Sequence, residues 1–288
     1  MPELPEVETV VRTLRPRLLG ATIAAVWSSG KSLRMARPID RAALARLSIA
    51  SHIVAVRRKG KYILVDLQPE QAGILIHLGM SGRLRLQAAD EPRASHTHVV
   101  WSLADGSELR FVDPRRFGWV QASPNVDALP EVAGLGPDAL LEMDASRLRA
   151  SLAASAAPLK SFLLDQKRIA GLGNIYVCEA LFRARLHPRT PARAAAGRSA
   201  VLLRAIRAAL RVALANRGTT MRDFVDAEGR SGDNAAALLV YGRAGDPCGV
   251  CGVAVRRSLD SGRSTFYCPH CQRIGPAGCG ACAPAELR

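Results

Sequence analysis

The chain has 288 residues, 23% charged and 48% apolar or aromatic, so it has the composition of a folded globular protein and not that of a disordered chain or a fibre. Forty lysines and arginines against 25 aspartates and glutamates give a formal charge of +15, which favours a polyanionic partner, usually nucleic acid. No apolar run approaches the roughly 20 residues of a membrane span, and the acidic, proline-containing start is neither a signal nor a transit peptide, so we expect a cytoplasmic protein with no membrane partner.

The first 121 residues are predicted to form one helix and eight strands. The helix covers 5–18, because Pro5 suits a first helical position and apolar residues recur on one face. After the helix the hydrophobic period changes to two, and Asp105-Gly106 is typical of a hairpin turn. Eight short strands separated by turn residues predict a β-sandwich or barrel. The predicted strands are 22–27, 51–57, 61–67, 73–78, 82–86, 97–103, 108–112 and 118–121.

The rest of the chain is predicted to be a helical region followed by a cysteine-rich one. Residues 122–137 contain three prolines and two glycines and are expected to form a linker. From 138 to 239 the pattern is helical, and its clearest helix begins at Ser199, a candidate N-cap, and ends at Gly218. The last two segments are a cysteine-rich module, 240–272, and a flexible tail, 273–288.

Four cysteines of the module have the spacing of a metal site. Two Cys-x2-Cys pairs separated by 16 residues supply four thiolates, the set that structural zinc prefers in tetrahedral geometry. The segment is too short to bury a core of its own, so one structural Zn2+ is expected to supply its folding energy. The alternatives are two disulfides, which a cytosolic setting disfavours, and a redox-active pair. The predicted ligands are Cys248, Cys251, Cys268 and Cys271; no role is expected for the tail pair Cys279 and Cys282.

The amino terminus is a candidate nucleophile. Removal of Met1 would leave Pro2 as a free secondary amine, and an α-amino group has a pKa of about 8, roughly two units below that of lysine. A useful fraction is therefore unprotonated at neutral pH and could form an iminium with a sugar aldehyde carbon. Glu3 is adjacent and could move protons. The alternative is that these residues form only a stiff end of the chain.

Five motifs in chain order resemble those of the bacterial formamidopyrimidine-DNA glycosylases. They are MPELPEVETV at 1–10, HLGMSG at 77–82, DPRRFG at 113–118, GLGNIY at 171–176 and VYGR at 240–243. The four-cysteine ribbon completes the resemblance, which covers nearly the whole chain. It implies an α+β multidomain fold: an N-terminal helix plus an eight-stranded β-sandwich, a helix–two-turns–helix domain and a C-terminal β-hairpin zinc ribbon. The corresponding domains are 1–121, 138–239 and 240–272.

The resemblance also implies a bifunctional DNA glycosylase and AP lyase of base-excision repair. Such an enzyme, expected to be a monomer associated with the bacterial nucleoid, removes 8-oxoguanine and formamidopyrimidines from double-stranded DNA and also acts at abasic sites. In the family mechanism, Pro2 attacks C1′, the base leaves, and β- and δ-elimination cut the strand on both sides of the lesion. Glu3 corresponds to the family's acid/base, Lys61 to its β-elimination lysine and Arg263 to its δ-elimination arginine. Lys61 is one of only five lysines, which fits a role as a proton-labile amine.

Further residues correspond to DNA contacts of the family. A base inside the stack must be rotated out before it can be reached, and this leaves a hole that the family fills with three side chains. The structural alternatives are core packing for Met80 and Phe117, an edge-strand pair of little function for His96 and His98, and a simple cap for Asn174. For Lys61 the alternative is a solvated lysine at a strand end. The matching residues are Met80, Arg115 and Phe117 for the three that fill the hole, and His96 (with His98 nearby), Lys160 and Asn174 for other contacts.

The chain departs from the family pattern at 227–237, which aligns with the loop that covers the extruded base in relatives. Aromatic residues usual there are absent, which puts the lesion preference in doubt more than the reaction. Two other functions remain open at the level of the sequence. One is an endonuclease VIII-like enzyme for oxidised pyrimidines, against which Leu4 argues because that branch more often has Gly after Pro-Glu. The other is a zinc-ribbon DNA-binding protein without catalysis.

Overall fold

The computed structural model describes residues 1–33, 38–68, 72–260 and 262–274, so Cys279 and Cys282 lie outside the described residues. The chain forms two compact units. The sandwich unit comprises Met1–Asp138, Ala170–Leu172 and Leu210–Ala237; the hairpin unit comprises Ala139–Ile169, Gly173–Ala209 and the residues from Leu238 onward. Within the described ranges, no helix combines the length and the hydropathy that a membrane span requires.

The sandwich unit contains two four-stranded antiparallel sheets, as the alternating sequence predicts. The strands are β1 (Ile23–Ser28), β2 (His52–Lys59), β3 (Tyr62–Gln68), β4 (Gly73–His77), β5 (Arg83–Ala88), β6 (Thr97–Leu103), β7 (Ser107–Val112) and β8 (Trp119–Ser123). Their order is β1-β6-β7-β5 in one sheet and β2-β3-β4-β8 in the other. The turn between β6 and β7 is the predicted one: Gly106 has a φ of +84°, and the Asp105 carboxylate accepts the Ser107 N–H at 2.9 Å.

The sandwich core is built from the inner faces of both sheets and one face of the first helix, α1 (Leu4–Leu18). Val7, Val10 and Leu14 of α1 are fully buried, as are Phe111 of β7 and, to within 1%, Trp101 of β6. The apolar face that the sequence assigns to α1 therefore orients the helix on the sheets, with its amino terminus inside the unit.

One helix of the sandwich unit departs from the sequence prediction. Residues assigned to the period-two region form α2 (Arg41–Ser48), whose N-cap Asp40 accepts the N–H of Ala43 at 2.9 Å. The period-two interpretation is wrong here because alanine and leucine are strong helix formers and an aspartate cap begins the segment. Leu44 and Leu47 join the core.

The hairpin unit is helical and ends in a two-stranded sheet. Its helices are α4 (Ala145–Ala153), α5 (Leu159–Leu164) and α6 (Asn174–Arg183), and its strands are β9 (Arg256–Asp260) and β10 (Arg263–Tyr267); a short α3 (Pro130–Ala133) belongs to the sandwich unit. The long helix α7 (Ser199–Ala215) continues directly from a 3-10 helix, Ala192–Arg198. Ser199 therefore has helical φ and ψ, and the prediction that it is an N-cap is wrong. The predicted end is close: the Gly218 N–H donates back to Ala213 O at 2.7 Å.

Candidate active site and zinc site

Pro2 and Glu3 are buried at the start of α1, next to the exposed Met1, and the Glu6 carboxylate binds the backbone of Glu3. The carboxylate of Glu6, 1% exposed, accepts the backbone N–H of Glu3 at 2.8 Å and that of Thr219 at 2.7 Å. The bond to Glu3 is the return half of a capping box, and the Glu-x-x-Glu spacing was the signal that could have identified Glu6 from sequence. Glu6 thus ties the start of the chain to the segment after α7.

A glycine turn supports the same terminus from another side. The N–H of Leu4 donates to Gly171 O at 3.1 Å. Gly171 has a φ of +100°, and a Cβ on it would lie 2.6 Å from Leu4 Cδ1. Glycine is therefore required at this point of the GLGN motif, both for its backbone conformation and for its contact with α1.

Lys61 lies in the two-residue turn between β2 and β3. Lys59 pairs with Tyr62, which leaves Gly60 and Lys61 as the turn, and Gly60 has a φ of +56°. Lys61 is only 8% exposed. The solvated strand end considered for this lysine therefore does not describe it.

Met80, Arg115 and Phe117 belong to two loops that pack backbone to backbone. Gly79 has a φ of +61°, and a Cβ on it would lie 2.4 Å from the carbonyl carbon of Phe117. The Met80 side chain is 43% exposed, and the Arg115 guanidinium lies 4.8 Å from the centre of the Phe117 ring. Core packing therefore does not explain Met80, and the three side chains share one platform.

A buried carboxylate joins the two loops, and the sequence analysis missed it. Asp113 is completely buried, and one of its oxygens accepts the Ser81 hydroxyl at 2.6 Å while the other accepts the Gly118 N–H at 2.7 Å. The Arg115 N–H points to both Ser81 Oγ and Asp113 Oδ1, at 3.3 Å each. Asp-Pro in the DPRRFG motif was the available sequence signal, because aspartate commonly accepts N–H groups of its own loop.

The two histidines considered as DNA contacts differ in environment. His96 is exposed, has a φ of +64° and accepts the Asp113 N–H on its carbonyl at 3.0 Å. His98 is 2% exposed and bonds to Asp113 O at 3.1 Å and to Ser29 Oγ at 3.1 Å. Burial lowers the pKa of His98. His98 thus has a structural role in the loops, whereas His96 is available at the surface.

The atypical 227–237 segment begins on the edge of the sandwich. Ala227 is 1% exposed, and its carbonyl accepts the N–H of Leu86 on β5 at 3.3 Å and Arg85 Nε at 3.2 Å. The buried carboxylate of Asp226 accepts the N–H of Arg230 at 2.9 Å and its Nε at 3.1 Å. These bonds hold the start of the segment in place, although the segment lacks the aromatic residues that are usual there in relatives.

In the hairpin unit, Lys160 and Asn174 both bind the strand that contains Arg263. Lys160 is 2% exposed, and its ammonium donates to Ser264 O at 3.0 Å and to Thr265 Oγ1 at 2.6 Å. Asn174, the first residue of α6, donates from Nδ2 to Ser264 O at 2.9 Å, and its buried Oδ1 accepts no hydrogen bond within the described residues. Burial lowers the pKa of Lys160. Arg263 itself is exposed at the start of β10.

A further buried carboxylate holds the segment that leads to the zinc module. Glu179 of α6 is 2% exposed, and its Oε1 accepts the N–H groups of Val240 at 2.9 Å and Tyr241 at 3.0 Å. Both carboxylate oxygens also lie 3.0–3.1 Å from Leu239 N. The VYGR motif therefore meets α6 through its backbone, which no pattern in the sequence indicated.

The four predicted cysteine ligands converge as a metal site requires. Their sulfurs all lie within 4.8 Å of one another, with Cys248 Sγ 4.0 Å from Cys271 Sγ and Cys251 Sγ 3.4 Å from Cys268 Sγ. Zinc–sulfur bonds of about 2.3 Å in a tetrahedron place the sulfurs about 3.8 Å apart. The Cys271 N–H lies 3.4 Å from Cys268 Sγ, an arrangement suited to stabilising a thiolate. This donor set fits one structural Zn2+.

The fold and these sites define a class: DNA glycosylases that combine an N-terminal β-sandwich with a helical DNA-binding region and a four-cysteine hairpin. Residues 1–120 match the formamidopyrimidine-DNA glycosylase N-terminal domain, 135–225 the H2TH domain of the same glycosylases, and 245–274 the zinc finger found in FPG and IleRS. The chain belongs to the formamidopyrimidine-DNA glycosylase family.

Individual relatives are similar to this chain along almost their full length. The chain is 46% identical to the formamidopyrimidine-DNA glycosylase of Moorella thermoacetica over 261 residues, covering 89% of this chain and 94% of that protein. It is 41% identical to that of Rhodopseudomonas palustris over 295 residues, covering 95% and 100%.

Solved structures show the same fold. The MutM (Fpg) protein of Thermus thermophilus has a TM-score of 0.83 at 38% identity, covering 96% of this chain and 100% of that one. Lactococcus lactis Fpg in complex with abasic-site DNA has a TM-score of 0.84 at 31% identity, covering 94% and 99%. A variant of that protein in complex with Fapy-dG DNA has a TM-score of 0.86 at 30% identity, covering 94% and 100%.

Proposed function

We propose that this chain removes oxidised purines from double-stranded DNA and then cuts the strand, as a bifunctional glycosylase and AP lyase. The observation that supports this most directly is the buried Pro2–Glu3 terminus, which Glu6 binds through the Glu3 N–H at 2.8 Å. Membership of the family and the structures of Lactococcus lactis Fpg with Fapy-dG and abasic-site DNA support the choice of substrate. The protein is proposed to act as a monomer, in the cytoplasm, on nucleoid DNA.

The proposed reaction begins at Pro2, once Met1 has been removed. Its nitrogen bonds to C1′ as the C1′–base bond breaks; the electron pair leaves with the base, which gains a proton. The nitrogen then loses its proton, and the C1′–O4′ bond opens to give the iminium while a proton is delivered to O4′. Glu3 is the group proposed to move these protons. Splitting the reaction through a covalent intermediate replaces one difficult step by two easier ones.

Two eliminations follow from the iminium. Loss of a C2′ proton expels the 3′ phosphate oxygen from C3′, and Lys61 is the amine proposed for this step. Loss of a C4′ proton then expels the 5′ phosphate oxygen from C5′, with Arg263 proposed to assist. Lys61 is only 8% exposed, which suits an amine that must exchange a proton with the sugar while it is shielded from bulk water.

The exposed platform suits the task of holding a duplex from which a nucleotide has been rotated out. Unstacking costs a few kcal/mol per step. Met80 can enter the vacated space, Phe117 can stack on a neighbouring base, and Arg115 can bond to the unpaired partner base. His96 is proposed to contact the backbone nearby.

The hairpin unit is proposed to supply phosphate contacts through a zinc-stabilised strand. Lys160 and Asn174 would act through Ser264 O, which both bind, and so position Arg263. The net charge of +15 predicts affinity that falls steeply with salt, because bound cations are released from the DNA.

Borohydride trapping on a duplex containing 8-oxoguanine opposite cytosine tests the proposal. We expect a covalent protein–DNA adduct that maps to Pro2, strand cleavage without added alkali, and loss of the adduct in Pro2→Gly. Intact mass should show that Met1 is absent from the active fraction. An adduct that persists in Pro2→Gly and maps to a lysine would contradict the assignment of the nucleophile.

A thymine-glycol duplex serves as the substrate control. Preferential trapping on thymine glycol would favour the endonuclease VIII-like function instead. Binding to both duplexes with neither trapping nor cleavage, by protein confirmed to begin at Pro2, would favour a DNA-binding protein without catalysis.

A further inference from the structure

Arg58 is a buried guanidinium next to the Lys61 turn, and the proposed reaction does not use it. Its side chain is 1% exposed, at the end of β2. Nε donates to Glu8 Oε2 at 2.9 Å, and Nη1 and Nη2 donate to the two oxygens of Asp138 at 2.5 and 3.3 Å. Nη1 also donates to Gly60 O at 3.0 Å. One side chain therefore binds α1, the turn and the end of the linker.

These bonds belong to a closed circuit around the catalytic terminus. Asp138 pairs with Ala170, whose N–H donates to Pro137 O at 3.0 Å. The next residue, Gly171, accepts the N–H of Leu4 at 3.1 Å. From Leu4 the circuit returns along α1 to Glu8 and Arg58. A shift of the Lys61 turn relative to Pro2 and Glu3 would have to break at least one bond of this circuit.

Packing around Gly60 adds to the constraint. A Cβ on Gly60 would lie 3.3 Å from Ala170 Cβ and 3.3 Å from Leu135 Cδ1. The turn is thus in close contact with the segment that Asp138 joins to Arg58. Burial opposes the charged form of Arg58, but its bonds to Asp138 and Glu8 outweigh this and raise its pKa, so the guanidinium stays ionised.

We propose that Arg58 is a positioning residue for Lys61. It holds the turn that contains Lys61 against the helix that follows Pro2 and Glu3, and the rate of β-elimination depends on this placement more than the rate of base excision does. This inference rests on the proposed function. The planar guanidinium of arginine has donors on three nitrogens, so it can bind a carboxylate on each side and a backbone carbonyl at the same time. A lysine ammonium has one nitrogen and cannot reach all three acceptors.

The test is Arg58→Lys in single-turnover reactions on the 8-oxoguanine duplex. Aliquots quenched with hot alkali report base excision, and untreated aliquots report β-elimination. We expect β-elimination to slow by about 10- to 100-fold, because a displacement of about 1 Å has effects of this size. Excision and borohydride trapping through Pro2 should slow by much less. Equal slowing of both steps, or of neither, would overturn the proposal.

Arg57→Lys is the matched control. Arg57 is the neighbouring residue of β2 and also binds two carboxylates, Asp66 at 2.6 Å and Asp127 at 2.6 Å. Its side chain is 34% exposed, and among the described residues its hydrogen bonds go to these two carboxylates and not to the turn. Both rates should match those of the parent protein. A selective loss of β-elimination in this variant would show that replacing either carboxylate-bound arginine of β2 is enough, and that the bond to Gly60 is not responsible.

A double-mutant comparison separates positioning from general destabilisation. If Arg58 acts through Lys61, then Lys61→Ala and Lys61→Ala/Arg58→Lys should have the same residual β-elimination rate. A further drop in the double variant would contradict the proposal. If Arg58→Lys does not fold, Asp138→Asn is measured instead: the same selective slowing is expected, and its absence would overturn the inference.

Failure of the inference is distinguishable from failure of the proposed function. A parent protein that forms no adduct with damaged DNA would remove the proposed function itself. A parent protein that traps through Pro2, with both steps unaffected in Arg58→Lys, would remove only the role of Arg58.

Discussion

The sandwich unit and the hairpin unit hold their candidate functional side chains by different means. In the sandwich unit a large apolar core fixes two sheets, and the buried carboxylates of Glu6 and Asp113 accept N–H groups from the loops above them. In the hairpin unit the cluster around β9 and β10 is small, and the four cysteines are themselves part of it. A zinc ion bound by the four cysteines would supply there the stability that a larger core supplies in the sandwich unit. Loss of one zinc ligand should therefore disorder the whole hairpin module, whereas loss of one hydrogen bond should leave either unit folded.

The largest effect is expected from Cys268→Ser. A structural zinc supplies about 10–16 kcal/mol in small modules, and three thiolates cannot complete its tetrahedron. We expect loss of zinc in elemental analysis and a fall in affinity for abasic-site DNA of about a hundredfold, because the phosphate-binding donors lose their fixed positions. The main thermal transition of the sandwich should remain.

Cys178→Ala is the control for this prediction. Cys178 is buried in the same cluster but is not one of the four converging sulfurs. The variant should retain one zinc per chain. Full zinc content in Cys268→Ser would contradict the assigned ligand set.

Glu6→Gln should have the next largest effect. The amide keeps one acceptor oxygen but places an NH2 group where the second acceptor was, so one of the N–H groups of Glu3 and Thr219 is left buried without a partner. Such a group costs about 1–3 kcal/mol. We expect a lower urea midpoint for the sandwich and slower borohydride trapping, whereas the exposed Glu91→Gln should change neither. Unchanged trapping in Glu6→Gln would mean that Glu6 supports only the fold.

The same contrast separates what the sequence could predict from what it could not. Regular patterns predicted the eight strands, the Asp105-Gly106 turn and the four cysteines, because each depends on residues close together in the chain. Hydrogen bonds between residues far apart in the chain could not be predicted. Glu6 and Thr219 are 213 residues apart, and only packing of the whole unit brings them together. A local signal can also be hidden by a neighbouring pattern: Asp40 caps a helix inside a region whose hydrophobic period is two.

Lys160 illustrates the limit at the candidate site. A lysine is normally solvated, and the resemblance to the family indicated only a position near DNA. The structure places its ammonium against Ser264 O and Thr265 Oγ1, inside the hairpin unit. The sequence could not reveal this, because the two contacts are 104 and 105 residues away along the chain.

Lys160→Met tests whether this buried ammonium positions β10. We expect a modest net loss of about 1 kcal/mol, because lost bonds to two oxygens are partly offset by removal of a buried charge. Zinc should be retained, amide exchange at Thr265 and Phe266 should accelerate, and δ-elimination should fall relative to β-elimination. Lys167→Met, at an exposed position of the same unit, is the control. Unaltered exchange in Lys160→Met would show that zinc alone fixes the strand.

The smallest effect is expected from Ser81→Ala, which removes one of the bonds that join the two platform loops. The Ser81 hydroxyl donates to Asp113 at 2.6 Å, but Asp113 keeps the Gly118 N–H at 2.7 Å, so the loops should loosen without separating. A bond of this kind is worth about 1 kcal/mol, or about fivefold in a rate or binding constant. Because Arg115 is proposed to face the unpaired base, the change should appear mainly as weaker discrimination between cytosine and adenine opposite 8-oxoguanine.

Ser107→Ala removes a comparable hydroxyl bond, to Asp105 at 2.7 Å, from a hairpin turn without platform residues. If both variants alter discrimination equally, the effect comes from general loosening of the sandwich, and the coupling of the platform loops through Asp113 is not what selects the opposite base.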